Sequence, residues 1–222
     1  MSESSSDESD EQPFDVPGDP EFLAALTDVD PDATVDNPVR NADSRPAAII
    51  YDLDGTIVRL LVDWPGLEDD LTELPVDAGI DDPGGDVWSR YDVAAEHGLR
   101  GDAETLIQAR EIAGARESIR LPAADLVATH RIPIGVCSLN SERACRIALS
   151  VQGLADNVEV VVGRGTVETM KPAPEPLLVA CERLGVDPEE ALFVGDSESD
   201  ARTAARAGTM FQYVQGEPAR ER

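Results

Sequence analysis

The chain has 222 residues, of which 45 are Asp or Glu and 18 are Lys or Arg, so its formal net charge at pH 7 is −27. So acidic a surface should repel nucleic acids and anionic membranes, and we expect neither as a partner. No apolar run approaches the ~18 residues of a membrane-spanning helix, and the acidic N-terminus lacks the apolar core of a secretion signal. Three widely spaced cysteines, Cys137, Cys145 and Cys181, predict free thiols in a reducing compartment, and we expect a cytoplasmic protein.

The basic residues are almost all arginine. Lys171 is the single lysine, which leaves seventeen arginines among the eighteen basic side chains. Together with the excess of acidic residues, this composition is typical of a protein from an extreme halophile. At high salt, screening removes most of the self-repulsion of such a surface.

Residues 1–45 are rich in Ser, Asp, Glu and Pro. This composition cannot bury enough apolar surface to order a chain, so we predict a largely disordered N-terminal tail. Within the tail, only residues 20–26 have the pattern of a short helix that docks on the body of the protein.

From residue 46 the pattern changes to short apolar runs that alternate with amphipathic stretches. The apolar runs are residues 47–52, 132–137, 158–162, 191–195 and 210–214. Continuous apolar runs of this length suit strands that are buried on both faces of a parallel sheet. The helical stretches between them are 141–151, 174–184 and 199–207. This alternation predicts an α/β fold with a Rossmann-like open parallel sheet flanked by helices.

Residues 60–125 interrupt the alternation directly after the first strand. The segment is acidic and punctuated by Pro and Gly at first, and becomes helical from about Val87 to Ile119. We therefore predict a small helical cap, inserted into an α/β core that is formed by residues 46–59 and 126–222.

Polar residues follow four of the apolar runs. The first run is followed by Asp52 and Asp54, and the second by residues 138–140. Lys171 follows the third run after a short loop, and residues 196–200 follow the fourth. Because ligands of open α/β sheets bind outside the carboxyl ends of the strands, these residues predict a single site at one edge of the sheet.

Taken as a set, these residues resemble the four motifs of the haloacid dehalogenase-like (HAD) hydrolase superfamily. In chain order the motifs correspond to Asp52-Leu53-Asp54-Gly55-Thr56, Ser138-Leu139-Asn140, Lys171-Pro172 and Gly195-Asp196 with Asp200. The resemblance covers about residues 46–215 and is closest to phosphatases of the phosphoglycolate phosphatase type that carry a helical cap. It implies a Mg²⁺-dependent phosphatase that hydrolyses a small phosphorylated metabolite through an aspartyl-phosphate.

The resemblance also implies a role for each acidic residue. Asp52 would be the nucleophile, since an attacking carboxylate splits a difficult hydrolysis into two easier steps. Asp54 would protonate the leaving oxygen and then activate water. The side chains of Asp52 and Asp196 and the main-chain carbonyl of Asp54 would hold Mg²⁺, which prefers oxygen ligands. Asp200 would hold a metal-bound water or orient Lys171, but it is also the kind of charge that stabilises a helix N-terminus.

The remaining residues of the resemblance would bind phosphate. Lys171 would bridge the nucleophile and the phosphate as a compact positive charge. Ser138 would donate its hydroxyl and Leu139 its backbone N–H to phosphate oxygens, beside the N-terminus of the following helix. As an alternative, Ser138 and its neighbours serve only as the N-cap of that helix.

Four alternatives to a phosphatase follow from the same motifs. A phosphonate hydrolase of the same family is one of them, but such enzymes use a lysine of the cap, and residues 60–125 contain none. Dehalogenases also use an aspartyl nucleophile, but they lack the acid at the position of Asp54 because a halide leaving group needs no proton, so Asp54 favours phosphoryl transfer. A phosphomutase stays open, since mutases keep both acids. A non-catalytic binding or regulatory protein on the same scaffold also stays open, because a fold does not determine a function. The sequence indicates neither the substrate nor the oligomeric state.

Overall fold

The computed structural model of the protein describes residues 45–77, 79 and 84–214, with the side chains of 75–77 excepted. The predicted tail up to residue 44, including the possible helix at 20–26, lies outside the described residues. In chain order the elements are β1 (Ala48–Tyr51), β2 (Val58–Arg59), α1 (Trp64–Asp77), α2 (Val87–Glu96), α3 (Arg100–Arg116), β3 (Ile119–Arg120), α4 (Ala123–Val127), β4 (Ile134–Ser141), α5 (Glu142–Val151), β5 (Val160–Arg164), α6 (Glu175–Leu184), β6 (Ala191–Gly195), α7 (Glu198–Ala207) and β7 (Met210–Tyr213).

The five longer strands form one parallel sheet in the order β5-β4-β1-β6-β7. These are the five apolar runs of the sequence, so the predicted α/β class with a Rossmann-like parallel sheet is confirmed. The central strand β1 is fully buried because neighbouring strands cover its edges and helices cover its faces. Tyr51 pairs with Val136 on one side and with Val194 on the other, so the carboxyl ends of β1, β4 and β6 are adjacent.

The two faces of the sheet are covered by different helices. Successive residues of a strand point to opposite faces, and accordingly Ile49 packs with residues of α4 and α5 while Ile50 packs with residues of α6 and α7. The helices α5, α6 and α7 match the three predicted helical stretches to within one residue at each end. Cys137, Cys145 and Cys181 are buried in this core as free thiols, as predicted.

The segment between β1 and β4 has an apolar cluster of its own, which we call the insert cluster. It is formed by Leu67, Leu71, Val87, Tyr91, Ala94, Ala103 and Ile107 from helices α1, α2 and α3. The helix α3 belongs to two clusters, because Ala115 near its C-terminus packs in the sheet core. The short strands β2 and β3 pair antiparallel where the segment leaves and rejoins the core. None of the helices in the described part of the chain has the length and apolar character of a transmembrane span.

Candidate active site

Asp52 directly follows β1 at the carboxyl edge of the sheet. Its backbone N–H donates to Val194 O at 2.8 Å, which continues the hydrogen bonding between β1 and β6. The carboxylate is buried, and Oδ1 accepts a hydrogen bond from Lys171 Nζ at 2.8 Å. The predicted nucleophile is therefore held in one orientation by a partner 119 residues away in the chain.

Lys171 lies between two carboxylates. Its side chain is 3% exposed, and Nζ lies 2.8 Å from Asp52 Oδ1 and 2.5 Å from Asp200 Oδ1. Nζ also lies 5.5 Å from the centre of the Phe193 ring. Burial opposes the charge of this amine, but Asp52 and Asp200 outweigh it and raise the pKa of Lys171. The single lysine of the chain is thus a buried ammonium at the candidate site.

Asp200 has both of the roles that the sequence suggested for a carboxylate at this position. It is the third residue of α7 and forms a capping box with Ser197, whose backbone N–H and hydroxyl donate to Asp200 Oδ2 at 3.1 and 2.5 Å. Its other oxygen accepts from Lys171. Asp200 therefore fixes the start of α7 and the position of the ammonium at the same time.

Three carboxylates converge at this point and are suited to a cation. One ligand oxygen from each of Asp52, Asp196 and Asp200 lies within 4.8 Å of the other two. Burial raises the pKa of Asp52 to about 7, because the lowering by Lys171 is smaller and the charges of Asp200 and Asp196 also raise it. Burial and the charge of Asp200 raise the pKa of Asp196 as well. Among the described residues the cluster has three carboxylates and one ammonium, so its acidic groups outnumber its positive charges.

This donor set fits a hard divalent cation such as Mg²⁺, which takes oxygen ligands and is held in proteins by one or two carboxylates. Both oxygens of Asp200 already accept hydrogen bonds from Lys171 or Ser197, whereas the bond from Lys171 to Asp52 uses only Oδ1, so Asp52 and Asp196 are the side chains better able to hold such a cation. Gly55 makes room beside Asp196: a Cβ at residue 55 would lie 2.3 Å from Asp196 Oδ2, and φ is +94°. Only glycine adopts that backbone conformation without strain and permits this approach.

Asp54 is not one of the three clustered carboxylates, although it lies near enough to Asp196 for its charge to help raise the pKa of Asp196. Asp54 is half-buried, and its Oδ1 accepts a hydrogen bond from Leu60 N at 2.8 Å. The turn between Asp54 and β2 is closed by the hydrogen bond from Gly55 N to Val58 O at 2.8 Å. The carboxyl group is thus held where β1 leads into the inserted segment, two residues beyond Asp52.

Ser138 and Leu139 lie at the end of β4, next to β1. The pairing of β4 with β5 is in register up to Cys137 and resumes, shifted, at Ser141. Within this irregular stretch, the Ser138 hydroxyl donates to Asn140 Oδ1 at 3.2 Å and accepts from Asn140 N at 3.3 Å. The N-cap of α5 is Ser141, which accepts from Ala144 N, so capping alone does not account for Ser138. We call residues 138–141, the irregular last four residues of strand β4, the β4 turn.

Two buried charged residues beside the β4 turn were not predicted from the sequence. The side chains of Glu111 from α3 and Arg164 from β5 are 2% and 4% exposed and form an ion pair at 2.7 Å. Glu111 accepts hydrogen bonds from the backbone of Ser141 and the side chain of Asn140. One signal was available: Glu111 stands between the buried Ile107 and Ala115 at the four-residue spacing of one helix face.

A family model described as haloacid dehalogenase-like hydrolase matches residues 46–208, which is most of the chain. The chain belongs to the haloacid dehalogenase-like hydrolases. It is an enzyme of the hydrolase class, and its relatives place it among the phosphatases of this family. It is 37% identical over 190 residues to the phosphoglycolate phosphatase of Rhodospirillum rubrum, with 73% of this chain and 77% of that protein covered.

Solved structures of HAD proteins are similar in fold. CbbY from Rhodobacter sphaeroides in complex with phosphate superposes with a TM-score of 0.59 at 21% identity, over 80% of this chain and 89% of that one. A HAD phosphatase from Thermococcus onnurineus superposes with a TM-score of 0.50 at 23% identity, over 78% and 88% of the two chains. At these identities the two structures support the HAD-like fold.

Proposed function

We propose that this HAD hydrolase is a Mg²⁺-dependent phosphatase that hydrolyses a small phosphorylated metabolite through a phosphoryl group on Asp52. The observation that carries the proposal is the buried contact of Lys171 with both Asp52 and Asp200, beside the carboxylate of Asp196. This arrangement supplies a fixed nucleophile, a permanent positive charge and a place for a divalent cation. The relative from Rhodospirillum rubrum makes phosphoglycolate the first substrate to test.

In the first step an Asp52 oxygen attacks phosphorus, and a P–O bond to Asp52 forms as the P–O bond to the leaving group breaks. Asp54 donates its proton to the departing oxygen, so the leaving group departs as an alcohol. The hydrogen bond from Leu60 N to Asp54 Oδ1 holds the Asp54 carboxyl group in place for this proton transfer.

In the second step a water molecule attacks the phosphoryl group on Asp52. Asp54, now a carboxylate, takes a proton from this water, and the P–O bond to Asp52 breaks. The products are inorganic phosphate and the regenerated Asp52 carboxylate. One residue thus serves as acid and then as base, which restores its original protonation state after each turnover.

The other site residues reduce the repulsion between an anionic nucleophile and an anionic substrate. Mg²⁺ held by Asp52, Asp196 and the main-chain carbonyl of Asp54 would supply a positive charge at the phosphate. Lys171 holds Asp52 in position and contributes a second positive charge. Ser138 and Leu139 would bind phosphate oxygens at the neighbouring strand end.

Residues 60–125 are the proposed cap, which would determine which leaving groups, and therefore which substrates, the enzyme accepts. Three of its helices share the insert cluster, so the segment has an apolar core beside the sheet. It leaves the core just after β2 and rejoins it before β4, and the pairing of β2 with β3 lies close to both of its ends. A cap of this size would cover a small metabolite rather than a phosphoprotein.

The proposal is tested by measuring the release of inorganic phosphate from para-nitrophenyl phosphate and phosphoglycolate with Mg²⁺ in multimolar KCl. We expect turnover that EDTA abolishes and added Mg²⁺ restores. Asp52→Asn should lower kcat by about 10⁴-fold or more, because an amide cannot act as the nucleophile. Asp156→Asn, an exposed substitution of the same chemistry, serves as the control and should behave as wild type.

Two results would contradict the proposal. Equal rates for Asp52→Asn and the wild-type protein would exclude Asp52 as the nucleophile. Rearrangement of a phosphorylated sugar without release of inorganic phosphate would identify a phosphomutase instead.

A further inference from the structure

A polar network outside the Asp52 cluster connects α3 of the inserted segment to the β4 turn. Glu111 Oε2 accepts from the backbone N–H of Ser141 at 3.0 Å, and Glu111 Oε1 accepts from Asn140 Nδ2 at 3.3 Å. The two donors, Ser141 N and Asn140 Nδ2, belong to the β4 turn, which also contains Ser138 and Leu139. A residue of the insert is therefore bonded to the strand end that is proposed to bind phosphate.

Arg164 completes the network from the opposite side. Its Nη1 lies 2.7 Å from Glu111 Oε1, and its Nη2 lies 3.0 Å from Glu111 Oε2, which is the two-pronged contact that guanidinium forms with carboxylate. Nη1 also donates to the carbonyl oxygen of Leu139 at 3.1 Å. The β4 turn is thus held by hydrogen bonds to a backbone N–H and to a backbone carbonyl, one from each member of the ion pair.

The turn needs such partners because it lies where the sheet ladder is interrupted. The register between β4 and β5 shifts between Cys137 and Ser141, so the ladder cannot satisfy every backbone group there. The backbone of β5 also lies very close, since a Cβ at Gly163 would be 2.4 Å from Glu142 N. Glu111 and Arg164 supply the missing hydrogen bonds in a buried place, where such bonds are geometrically strict.

The burial of the Glu111–Arg164 ion pair argues that its role is to hold the β4 turn. Two charged side chains that are 2% and 4% exposed are costly to bury unless all their hydrogen bonds are made. A simple structural link between helix and sheet would be achieved at lower cost by apolar residues. The atoms that the pair contacts belong to the β4 turn, so the pair fixes the shape of that turn.

We propose that Glu111 is a positioning residue for phosphate binding: through Ser141, Asn140 and Arg164 it fixes the β4 turn so that Ser138 and Leu139 present their donors to the phosphate group. This inference rests on the proposed function for the role of the β4 turn. Phosphate affinity then depends on a residue of the inserted segment that does not touch the phosphate.

The inference is tested by isothermal titration calorimetry of inorganic phosphate into the Mg²⁺-loaded, full-length protein. Glu111→Gln should raise the Kd for phosphate about tenfold, because one partner of the turn loses its charge and part of its hydrogen bonding. The affinity for Mg²⁺ without phosphate should stay that of the wild type, since Glu111 contacts none of the clustered carboxylates in the described structure. A merely structural role would lower the fraction of protein that binds, which calorimetry reads as stoichiometry, and would leave the Kd unchanged.

The chain offers a matched control in Glu104. This residue lies on the same helix and binds the same arginine, with its Oε2 3.0 Å from Arg164 Nε, but it contacts Tyr91 and not the β4 turn. Glu104→Gln should therefore leave the Kd for phosphate within about twofold of the wild-type value. If Glu111→Gln shows the wild-type Kd, or if both variants weaken binding equally, the inference is wrong.

Three further outcomes are decisive. If Glu111→Gln does not fold, the double variant Glu111→Leu/Arg164→Met removes both charges together, and it should fold and still bind phosphate weakly; wild-type affinity in this variant would overturn the inference. A wild-type protein that binds phosphate but hydrolyses neither para-nitrophenyl phosphate nor phosphoglycolate would contradict the proposed phosphatase and leave this inference standing. A wild-type protein that binds no phosphate would overturn both.

Discussion

Gly55 lies against Asp196 at the proposed metal site, and its lack of a side chain permits this close approach. The predicted effect of Gly55→Ala is a loss of Mg²⁺ affinity, because the new methyl group would lie 2.3 Å from Asp196 Oδ2 and force that carboxylate away. Displacing a ligand in this way should weaken Mg²⁺ binding by about tenfold to a hundredfold. The measurement is a Mg²⁺ titration of phosphatase activity, with a calorimetric titration as the direct readout.

Gly98→Ala is the matched control for this prediction. Gly98 has a similar backbone conformation, with φ +83°, but a Cβ there meets no atom within 4 Å. The control therefore carries the same kind of backbone strain without the close approach to a carboxylate. Equal losses of Mg²⁺ affinity in the two variants would show that strain, and not the contact with Asp196, is responsible.

The clustered site residues were predictable because each follows a recognisable strand. Asp52 and Asp196 stand at the ends of apolar runs and Lys171 follows one after a short loop, and parallel strands bring such positions to one edge of a sheet. Glu111 and Arg164 were not predictable in this way. A glutamate on a helix of a chain with net charge −27 is ordinarily a solvated residue, and only the tertiary structure places it against the β4 turn.

At the scale of elements, the sheet was predicted closely and the inserted segment was predicted in part. The helix α1 was not predicted, because it lies in the stretch before Val87 that Pro and Gly punctuate. Its Pro65 lies in the first turn, where proline is tolerated because its missing N–H would have no partner within the helix. The stretch predicted as helical from Val87 is divided into α2 and α3 near Gly98. The strands β2 and β3 have two residues each, which is too short for any hydrophobic period to appear.

Because the inserted segment has an apolar cluster of its own, we expect it to unfold locally while the sheet stays folded. Leu71 is fully buried in that cluster, and Leu71→Ala should cost roughly 2–5 kcal/mol of local stability through the lost burial and the remaining cavity. Amide hydrogen exchange should accelerate in α1, α2 and α3, while protection in β1 and β4 stays near the wild-type level.

Val136→Ala provides the comparison for this experiment. Val136 is fully buried in β4 and belongs to the cluster of the sheet core. Its truncation should accelerate exchange throughout the described structure, because the sheet carries the global stability. Uniform acceleration in the Leu71→Ala protein as well would mean that the two clusters unfold as one unit.

For the whole molecule, the net charge of −27 predicts a stability that depends strongly on salt. Like charges repel over distances that shrink from about 10 Å at 0.1 M salt to about 3 Å at 1 M. We therefore expect Tm at pH 7.5 to rise as KCl is increased from about 0.1 M to about 2 M, because screening relieves repulsion in the folded state more than in the expanded unfolded state. Differential scanning calorimetry at several KCl concentrations measures this effect.

The same measurement of Tm at several KCl concentrations, made near pH 4.1, is the internal control. That pH is close to the isoelectric point of the sequence, where the net repulsion is removed by protonation of carboxylates. The rise of Tm with KCl should then be much smaller than at pH 7.5. An equal rise at both pH values would point to a general effect of salt on apolar burial and not to charge screening.

The buried position of Lys171 has a practical consequence for spectroscopy. Because Lys171 is the single lysine of 222 residues, growth on isotopically labelled lysine places one side-chain probe in the whole protein. That probe lies 2.8 Å from the Asp52 oxygen and 2.5 Å from the Asp200 oxygen. One magnetic resonance signal, free of overlap and of any mutation, can therefore follow the active centre as cation, phosphate and substrate are added in turn.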